Sequence, residues 1–209
     1  MDPWAYEKQA WAEGFGSVVG VDEAGLGPLA GPVVAAAVLL PKEFDAKGVG
    51  DSKAMTPNAR ETAFERITSE AVCFGIGIID REVIDEINIL RAAHAAMRAA
   101  LNELGVAFDF ILVDGRRVPD LCAKSRAIVK GDSLSVSIGA ASILAKVTRD
   151  RIMLDLDKEY PQYGFAAHKG YCTAEHISAL NEHGPCPCHR RSFSPVSERL
   201  LQCRLPGLE

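Results

Sequence analysis

Three short apolar runs in this 209-residue sequence finish in acidic residues beside glycine: VGVDEAG, ILVDG and IVKGD. They carry Asp22 with Glu23, Asp114, and Asp132. Singly, a carboxylate after a strand is a turn or cap acceptor, and Asp132 before Ser133 fits that role. Together they mean more. Ends of neighbouring strands lie ~5 Å apart, so acids there can converge on one point. Packed carboxylates raise one another's pKa unless a cation neutralises them. Hard oxygen donors without a paired cysteine or histidine point to Mg²⁺ or Mn²⁺. Two such ions ~3.5–4 Å apart can activate water and stabilise a leaving oxygen in phosphodiester hydrolysis. The chemistry expected is therefore metal-dependent phosphotransfer. Adjacent strand residues point to opposite faces, so Asp22 and Glu23 share a site only where their strand ends. Gly25, just after them, suits such an end.

The elements that must position these acids can be read from the apolar pattern. Gly16 to Asp22 reads as a buried strand running into a glycine-rich turn, Ala24 to Gly31. Val33 to Leu40, Val72 to Ile79 and Phe108 to Val113 read as further strands, and Ala127 to Val129 as a short one. Thr56-Pro57 supplies an N-cap and a first-turn proline for the amphipathic helix that follows. Apolar residues at helical spacing predict one long helix from Asp80 to Leu104, capped by Gly105. Further helices are expected over Val136–Tyr160 and Ala174–His183. The order implies an α/β layer with a mixed sheet.

Composition bounds the answer. Apolar residues at 48% and charged residues at 24% are those of an ordinary globular domain, and the length allows one domain with a substantial core. No signal peptide is recognisable, and the longest apolar stretch, Pro32 to Pro41, is too short to span a bilayer. A cytoplasmic, monomeric protein without membrane association is expected. The net charge of −5 is unevenly spread. From Asp114 to Arg151 eight basic residues face four acids, whereas from Arg60 to Glu103 five basic residues face eight. That permits a basic face for a nucleic acid. Six scattered cysteines read as reduced thiols. Cys186-Pro187-Cys188-His189 invites a metal, with His168 and Cys172 as further ligands. Zinc sites usually space their cysteines two to four residues apart, which this pair fits poorly. The sequence leaves that point open.

The chain also resembles a known family, the type 2 ribonucleases H (ribonuclease HII). The resemblance is carried by GVDEAGLGPLAGPVVAAAV (20–38), DSK (51–53), IDEINIL (84–90), VDG (113–115), KGDSLSVSIGAASILAKVTRD (130–150), YPQYGFAAHKGY (160–171) and HRRSF (189–193). It implies a ribonuclease H-like fold, a five-stranded mixed sheet flanked by helices, with a catalytic core over 1–160 and a C-terminal helical segment and tail over 161–209. It implies cleavage of the RNA strand of RNA–DNA hybrids, or of DNA containing ribonucleotides. The metal-binding catalytic acids would be Asp22, Glu23, Asp114 and Asp132, using Mg²⁺ or Mn²⁺ and leaving 3′-hydroxyl and 5′-phosphate ends.

By motif position, the resemblance gives recognition of the 2′-hydroxyl to Gly25, Leu26 and Gly27 together with Tyr171. Lys53, Lys146 and Lys169 would hold phosphates; Arg190 and Arg191 could add to that surface, but are expected first as solvated surface charges. His94 is expected to be structural or solvent-facing. Two positions depart from the family pattern. Leu26 replaces the usual arginine of a Gly-Arg-Gly turn, and Cys172 replaces a glycine after the tyrosine. Leucine cannot form guanidinium contacts to phosphate, which weakens or alters the expected cutting at single embedded ribonucleotides. The tail LLQCRLPGLE loosely suggests a replication-clamp docking peptide, against the default of a disordered tail. Two rival classes stay open: a nucleic-acid binder without catalysis, and a phosphohydrolase of small nucleotides. The latter would lack a G-x-x-x-x-G-K-[ST] loop.

Overall fold

The computed structural model describes residues 2–204. Its strands are β1 (Val18–Ala24), β2 (Val33–Leu39), β3 (Cys73–Ile79), β4 (Phe110–Asp114) and β5 (Lys124–Ile128). They form one sheet in the order β3-β2-β1-β4-β5. β1, β2 and β3 run antiparallel, whereas β4 and β5 run parallel to β1. The helices are α1 (Ala5–Ala12), α2 (Pro57–Glu70), α3 (Arg81–Ile87), α4 (Ile89–Asn102), α5 (Val136–Glu159), α6 (Phe165–His168), α7 (Ala174–His183) and α8 (Val196–Arg204). The five-stranded mixed sheet with flanking helices agrees with the fold expected from the sequence. Among the described residues, no helix is long and apolar enough to cross a membrane.

Two apolar layers sandwich the sheet. On one face α4 lays Ala93, Ala96, Met97 and Ala100 against Val19, Val21, Ala35 and Ile111. On the other, α5 and α2 pack Ala140, Ile143, Leu144 and Ile67 against Ala36 and Val38. Small residues set these layers close. A Cβ at Gly77 would lie 1.9 Å from the Ala96 carbonyl oxygen, and one at Gly20 only 2.1 Å from the Ser137 backbone. Gly20→Ala therefore has to push α5 away from β1, two residues before Asp22. A loss of about 2–3 kcal/mol is expected from overpacking of this kind. Thermal unfolding should read it as a fall in Tm of about 4–12 °C.

Several elements differ from expectation, each for a physical reason. The single helix expected from Asp80 to Leu104 is broken at Asn88, which adopts φ +70°. Its Oδ1 accepts from the backbone N–H groups of Leu90 and Arg91 at 3.1 and 3.2 Å, capping α4. Asparagine tolerates the left-handed region and caps well, but apolar periodicity carries through it. β5 begins at Lys124 rather than Ala127 because it is a polar edge strand, with only Ile128 buried. β1 continues to Ala24, two residues beyond its expected end.

Helix α1 was not expected. Its Glu7 is fully buried at the start of α5, accepting from the Ser135 hydroxyl at 2.5 Å and the Ser137 N–H at 3.0 Å. A carboxylate there meets unsatisfied N–H groups and the positive end of the helix. The residues after α5 pack Tyr163, Phe165 and Ala179 against Ala30 and Met153. The tail from Leu200 to Arg204 continues α8, which corrects the disordered default for that stretch. The remaining residues of the suspected docking peptide, 205–209, lie outside the described residues.

Candidate active site

β1 stays paired with β2 through Ala24, opposite Val34, but its pairing with β4 stops at Val21, opposite Val113. Asp22 and Glu23 thus lie where β1 projects past its neighbour. What ends beside them is β4, not the strand that carries them. Alternation turns Asp22 to the α5 side with Gly20, and Glu23 to the α4 side with Val21. Asp114 is the last residue of β4. Asp22, Glu23 and Asp114 line one cleft of about 150 Å³ with Gly25, Leu26, Gly27, Ser52, Lys53, Ser142, Lys146 and Tyr171.

Asp132 joins through a short helical turn, Gly131–Ser133, after β5. The N–H groups of Gly131 and Asp132 donate to Asp114 Oδ1 at 2.6 and 3.4 Å, tying the two acids together. Lys53 Nζ lies 3.6 Å from Asp132 Oδ2. The Glu23 N–H donates to Asp22 Oδ1 at 2.7 Å. The fold therefore brings all four sequence-selected acids to one end of the sheet.

Their electrostatics are strained in the way that packed carboxylates must be. Burial, then the charges of Glu23 and Asp114, pushes Asp22 well above the usual carboxylate range. Burial followed by Asp114 raises Glu23 to about 7, and burial with Asp132 raises Asp114. Burial disfavours the Lys53 ammonium, yet Asp132, Asp22, Asp51 and Asp114 outweigh it and raise its pKa. One lysine cannot neutralise this group. A carboxylate-only donor set whose members resist ionising together is suited to divalent, oxygen-preferring cations.

The Gly25–Pro32 turn is held by two arginines that neither composition nor spacing had singled out for this role. Arg190 is fully buried. It donates to the carbonyls of Gly31 at 2.9 Å, Leu26 at 3.1 Å, Gly25 at 2.7 Å and Pro32 at 3.0 Å. Arg149, also buried, donates to the carbonyls of Pro32, Ala30 and Lys169 at 3.0–3.1 Å. Burial and the nearby Arg149 lower Arg190 to about 9, so it stays charged at neutral pH. The expectation of a solvated surface charge at Arg190, or of an addition to a phosphate-binding surface, is thus corrected: its guanidinium faces carbonyls in the interior. Gly25 has φ +99°, and a Cβ there would meet Arg149 Nε at 2.2 Å, so only glycine fits.

Leu26 and Tyr171 are 41% and 43% exposed and present free faces to the cleft. Gly27 approaches the Tyr171 ring, and the Arg149 guanidinium lies 5.9 Å from the ring centroid. The Leu29 N–H donates to the Gly170 carbonyl at 2.8 Å, joining the turn to the tyrosine segment. Lys146 Nζ pairs with Asp150 at 2.7 Å. Lys146, Lys169, Arg60, His168 and Tyr171 line an adjoining cleft of about 440 Å³. Lys169 sits in the left-handed region, and its ammonium donates to the Ala166 carbonyl. Lys53, Lys146 and Tyr171 thus join the acids directly, whereas Lys169 lies in the neighbouring groove.

His94 is half-buried, on the solvent-facing side of α4 as the sequence led us to expect. It lines a third cleft, about 320 Å³, with Glu23, Leu26, Met97 and Asp114. Asp85 explains part of the IDEINIL segment: it accepts from the N–H groups of Arg191 and Ser192 at 2.9 and 2.8 Å and pins the HRRSF loop. His168 and Cys172 stand apart from the cysteine pair. His168 Nε2 contacts the Tyr163 carbonyl at 2.8 Å, and Cys172 is exposed.

A mixed five-stranded sheet with carboxylates where its central strand outruns a neighbour defines a ribonuclease H-like hydrolase. Known proteins agree. The sequence profile described as Ribonuclease HII matches residues 19–196. A ribonuclease HII of Ruminiclostridium cellulolyticum is 54% identical over 189 residues, which is 90% of this chain and 74% of that protein. The crystal structure of ribonuclease H2 from Pyrococcus horikoshii OT3 superposes with a TM-score of 0.74 at 27% identity, covering 90% of this chain and 99% of that one. The RNase HII in the PCNA:RNase HII complex from Archaeoglobus fulgidus gives 0.69 at 25% identity, covering 85% and 95%. This chain belongs to the ribonuclease HII family. It is an endoribonuclease whose class cleaves RNA in RNA–DNA hybrids.

Proposed function

We propose that Asp22, Glu23, Asp114 and Asp132 hold two divalent cations, Mg²⁺ or Mn²⁺, for hydrolysis that leaves 3′-hydroxyl and 5′-phosphate ends. The observation that carries this reading is the meeting of Asp22 and Glu23, from opposite faces of the sheet, with Asp114 in the gap past β4. When bound, the ions would lower the pKa of the attacking water and stabilise the leaving 3′-oxygen. The protein's part is to fix these carboxylates. Asp114 is oriented by two backbone N–H groups and Asp22 by the Glu23 N–H. Lys53 supplies a mobile cation at the edge of the acids, its side chain 73% exposed, where a scissile phosphate would approach. Lys146 and Lys169 hold flanking phosphates along the adjoining cleft.

The Gly25–Leu26–Gly27 backbone and Tyr171 form the ribose-sensing walls of this proposed site. The 2′-hydroxyl is what distinguishes RNA from DNA at one nucleotide, and exposed peptide groups beside an aromatic ring can read it. Leu26 offers no charge to the phosphate next to a lone ribonucleotide. Wild-type protein is expected to cut a continuous hybrid faster than a duplex with one embedded ribonucleotide. Leu26→Arg should raise the latter rate about 10-fold or more, the value of one charge-assisted hydrogen bond. Equal rates on both substrates, unchanged by Leu26→Arg, would sink this reading of the turn.

The PCNA complex of the Archaeoglobus relative favours a second, separate reading, in which the tail from Leu200 to Glu209 docks on a replication clamp. Co-elution with purified clamp that is lost on deleting those residues would support it. Equal binding by the truncated chain would exclude it.

A further inference from the structure

Cys186, Cys188 and His189, whose spacing fits zinc poorly, come together in the fold. Cys186 Sγ lies 3.2 Å from Cys188 Sγ and 3.0 Å from His189 Nδ1. Among the described residues this is the one trio of possible metal-ligand side chains with all ligand atoms within 4.8 Å of one another. The surrounding hydrogen bonds assign the tautomers. His176 Nδ1 is 2.9 Å from the Tyr171 carbonyl, which can only accept, so that nitrogen carries the proton. His176 Nε2 is then bare and accepts from His189 Nε2–H at 3.0 Å. His189 Nδ1 is left with its one lone pair toward Cys186, where it accepts the Cys186 N–H at 3.1 Å, a bond that a metal ion at this nitrogen would replace. A buried imidazole that donates one N–H to a fixed partner and turns the other nitrogen to thiols has the arrangement of a metal-ligating histidine.

We propose that Cys186, Cys188 and His189 bind Zn²⁺ as a three-ligand site, with water in the fourth position. Ideal tetrahedral zinc separates two sulfurs by about 3.8 Å and sulfur from nitrogen by about 3.5 Å. The two contacts of Cys186 would therefore each lengthen by about half an ångström around the ion, within reach of small side-chain rotations. Cys188 lines a cleft with Pro187, Tyr160 and Glu159, which would give an ion and its water a path to the site. Binding needs no oxidant. Each thiol gives up its proton to solvent as its sulfur coordinates.

The site lies behind both proposed ribose-sensing walls. The Gly31 N–H donates to the Cys188 carbonyl at 2.9 Å, and His189 bridges to Ala30. The next residue, Arg190, grips the Gly25 and Leu26 carbonyls, while His176 leads to Tyr171. A bound ion would hold the turn and the tyrosine at fixed separation. That consequence rests on the proposed function, but the metal site does not.

The test is a Co²⁺ titration of full-length protein, chelator-stripped and kept reduced with a phosphine. Cobalt held by thiolates gives intense near-ultraviolet charge-transfer and tetrahedral visible bands, which carboxylate-bound cobalt lacks. One such ion per chain is expected, displaced by Zn²⁺, and retained in Asp22→Asn and Cys172→Ser. Cys188→Ser and Cys186→Ser should each lose the charge-transfer band. Its absence from folded wild-type protein overturns the proposal, as does its persistence in either serine variant. A Cys186–Cys188 disulfide that survives the reductant and excludes cobalt overturns it too. None of these readouts depends on nuclease activity.

Discussion

Asp22→Asn is expected to lower kcat on an RNA–DNA hybrid on the order of 10³-fold, the scale on which losing one preorganised electrostatic group slows enzymes. The substitution keeps shape and changes charge. Asp22 is 3% exposed, on the strand that runs past β4, so the amide occupies the same place without offering a second anionic oxygen to a cation. Hybrid binding, which the proposed function assigns to the lysines and the turn, should stay within about threefold, below a single weak hydrogen bond in energy. Stability should move the other way. Asp22 is held above the ordinary carboxylate range by burial, with Glu23 and Asp114 adding to it. A carboxyl whose folded value exceeds its unfolded one stabilises the fold while protonated, and loses that contribution as pH rises through the folded value. Burying this carboxyl beside Glu23 and Asp114 therefore costs the metal-free fold stability as pH rises, a cost that the neutral amide of Asn avoids. Metal-free Asp22→Asn should melt about 2–4 °C higher, the shift that ~1 kcal/mol produces in a chain of this size. Mg²⁺ should raise the Tm of wild type more than that of the variant. Retained activity with unchanged Tm would remove Asp22 from the proposed site.

The second large effect is structural in cause. Arg190→Ala should cost about 3–5 kcal/mol, because it strands buried carbonyls that had one charged donor between them. The carbonyls are those of Gly25, Leu26 and Gly31, while Pro32 keeps a second donor in Arg149. Thermal unfolding should fall by more than about 6 °C. At a temperature where the variant is folded, kcat/KM should drop on the order of 10-fold or more through loss of turn positioning. Arg190→Lys should recover little, since an ammonium cannot reproduce the planar fork that spans these acceptors. Arg191→Ala is the internal control: its side chain is exposed, and a change within about 0.5 kcal/mol is expected. Equal losses in both variants would contradict the role assigned to Arg190.

The acids were legible because their signal is local: an apolar run with a carboxylate and a glycine close behind it. Their meeting point was legible only in part. Alternation implies that Asp22 and Glu23 face opposite ways, and a strand end at the pair seemed necessary to reunite them. The sheet solves this differently, by stopping β4 instead of β1, and strand pairing is invisible in one sequence. Asn88 was overlooked because the apolar stripe runs through it, although its own chemistry caps α4. β5 was shortened because an edge strand has few buried residues to announce it. Arg190 was misassigned for a deeper reason. Its partners are peptide carbonyls as far as 165 residues earlier in the chain, and every residue carries a carbonyl. No pattern of side chains encodes that contact. The cysteine pair shows the converse limit, since C-x-C spacing argued against a metal while the fold brings a buried histidine beside the thiols.

The most direct test labels each strand of a continuous RNA–DNA hybrid separately and incubates it with wild-type chain, with Mg²⁺, Mn²⁺ or a chelator. The expected result is internal cutting of the RNA strand to 3′-hydroxyl and 5′-phosphate ends, with the DNA strand intact. Cutting should cease with chelator, return with either ion, and be absent under the same conditions in Asp22→Asn. An RNA strand left whole by folded, metal-supplied protein that still binds the hybrid would contradict the account. Cutting that continues unchanged in chelator or in Asp22→Asn would contradict it equally.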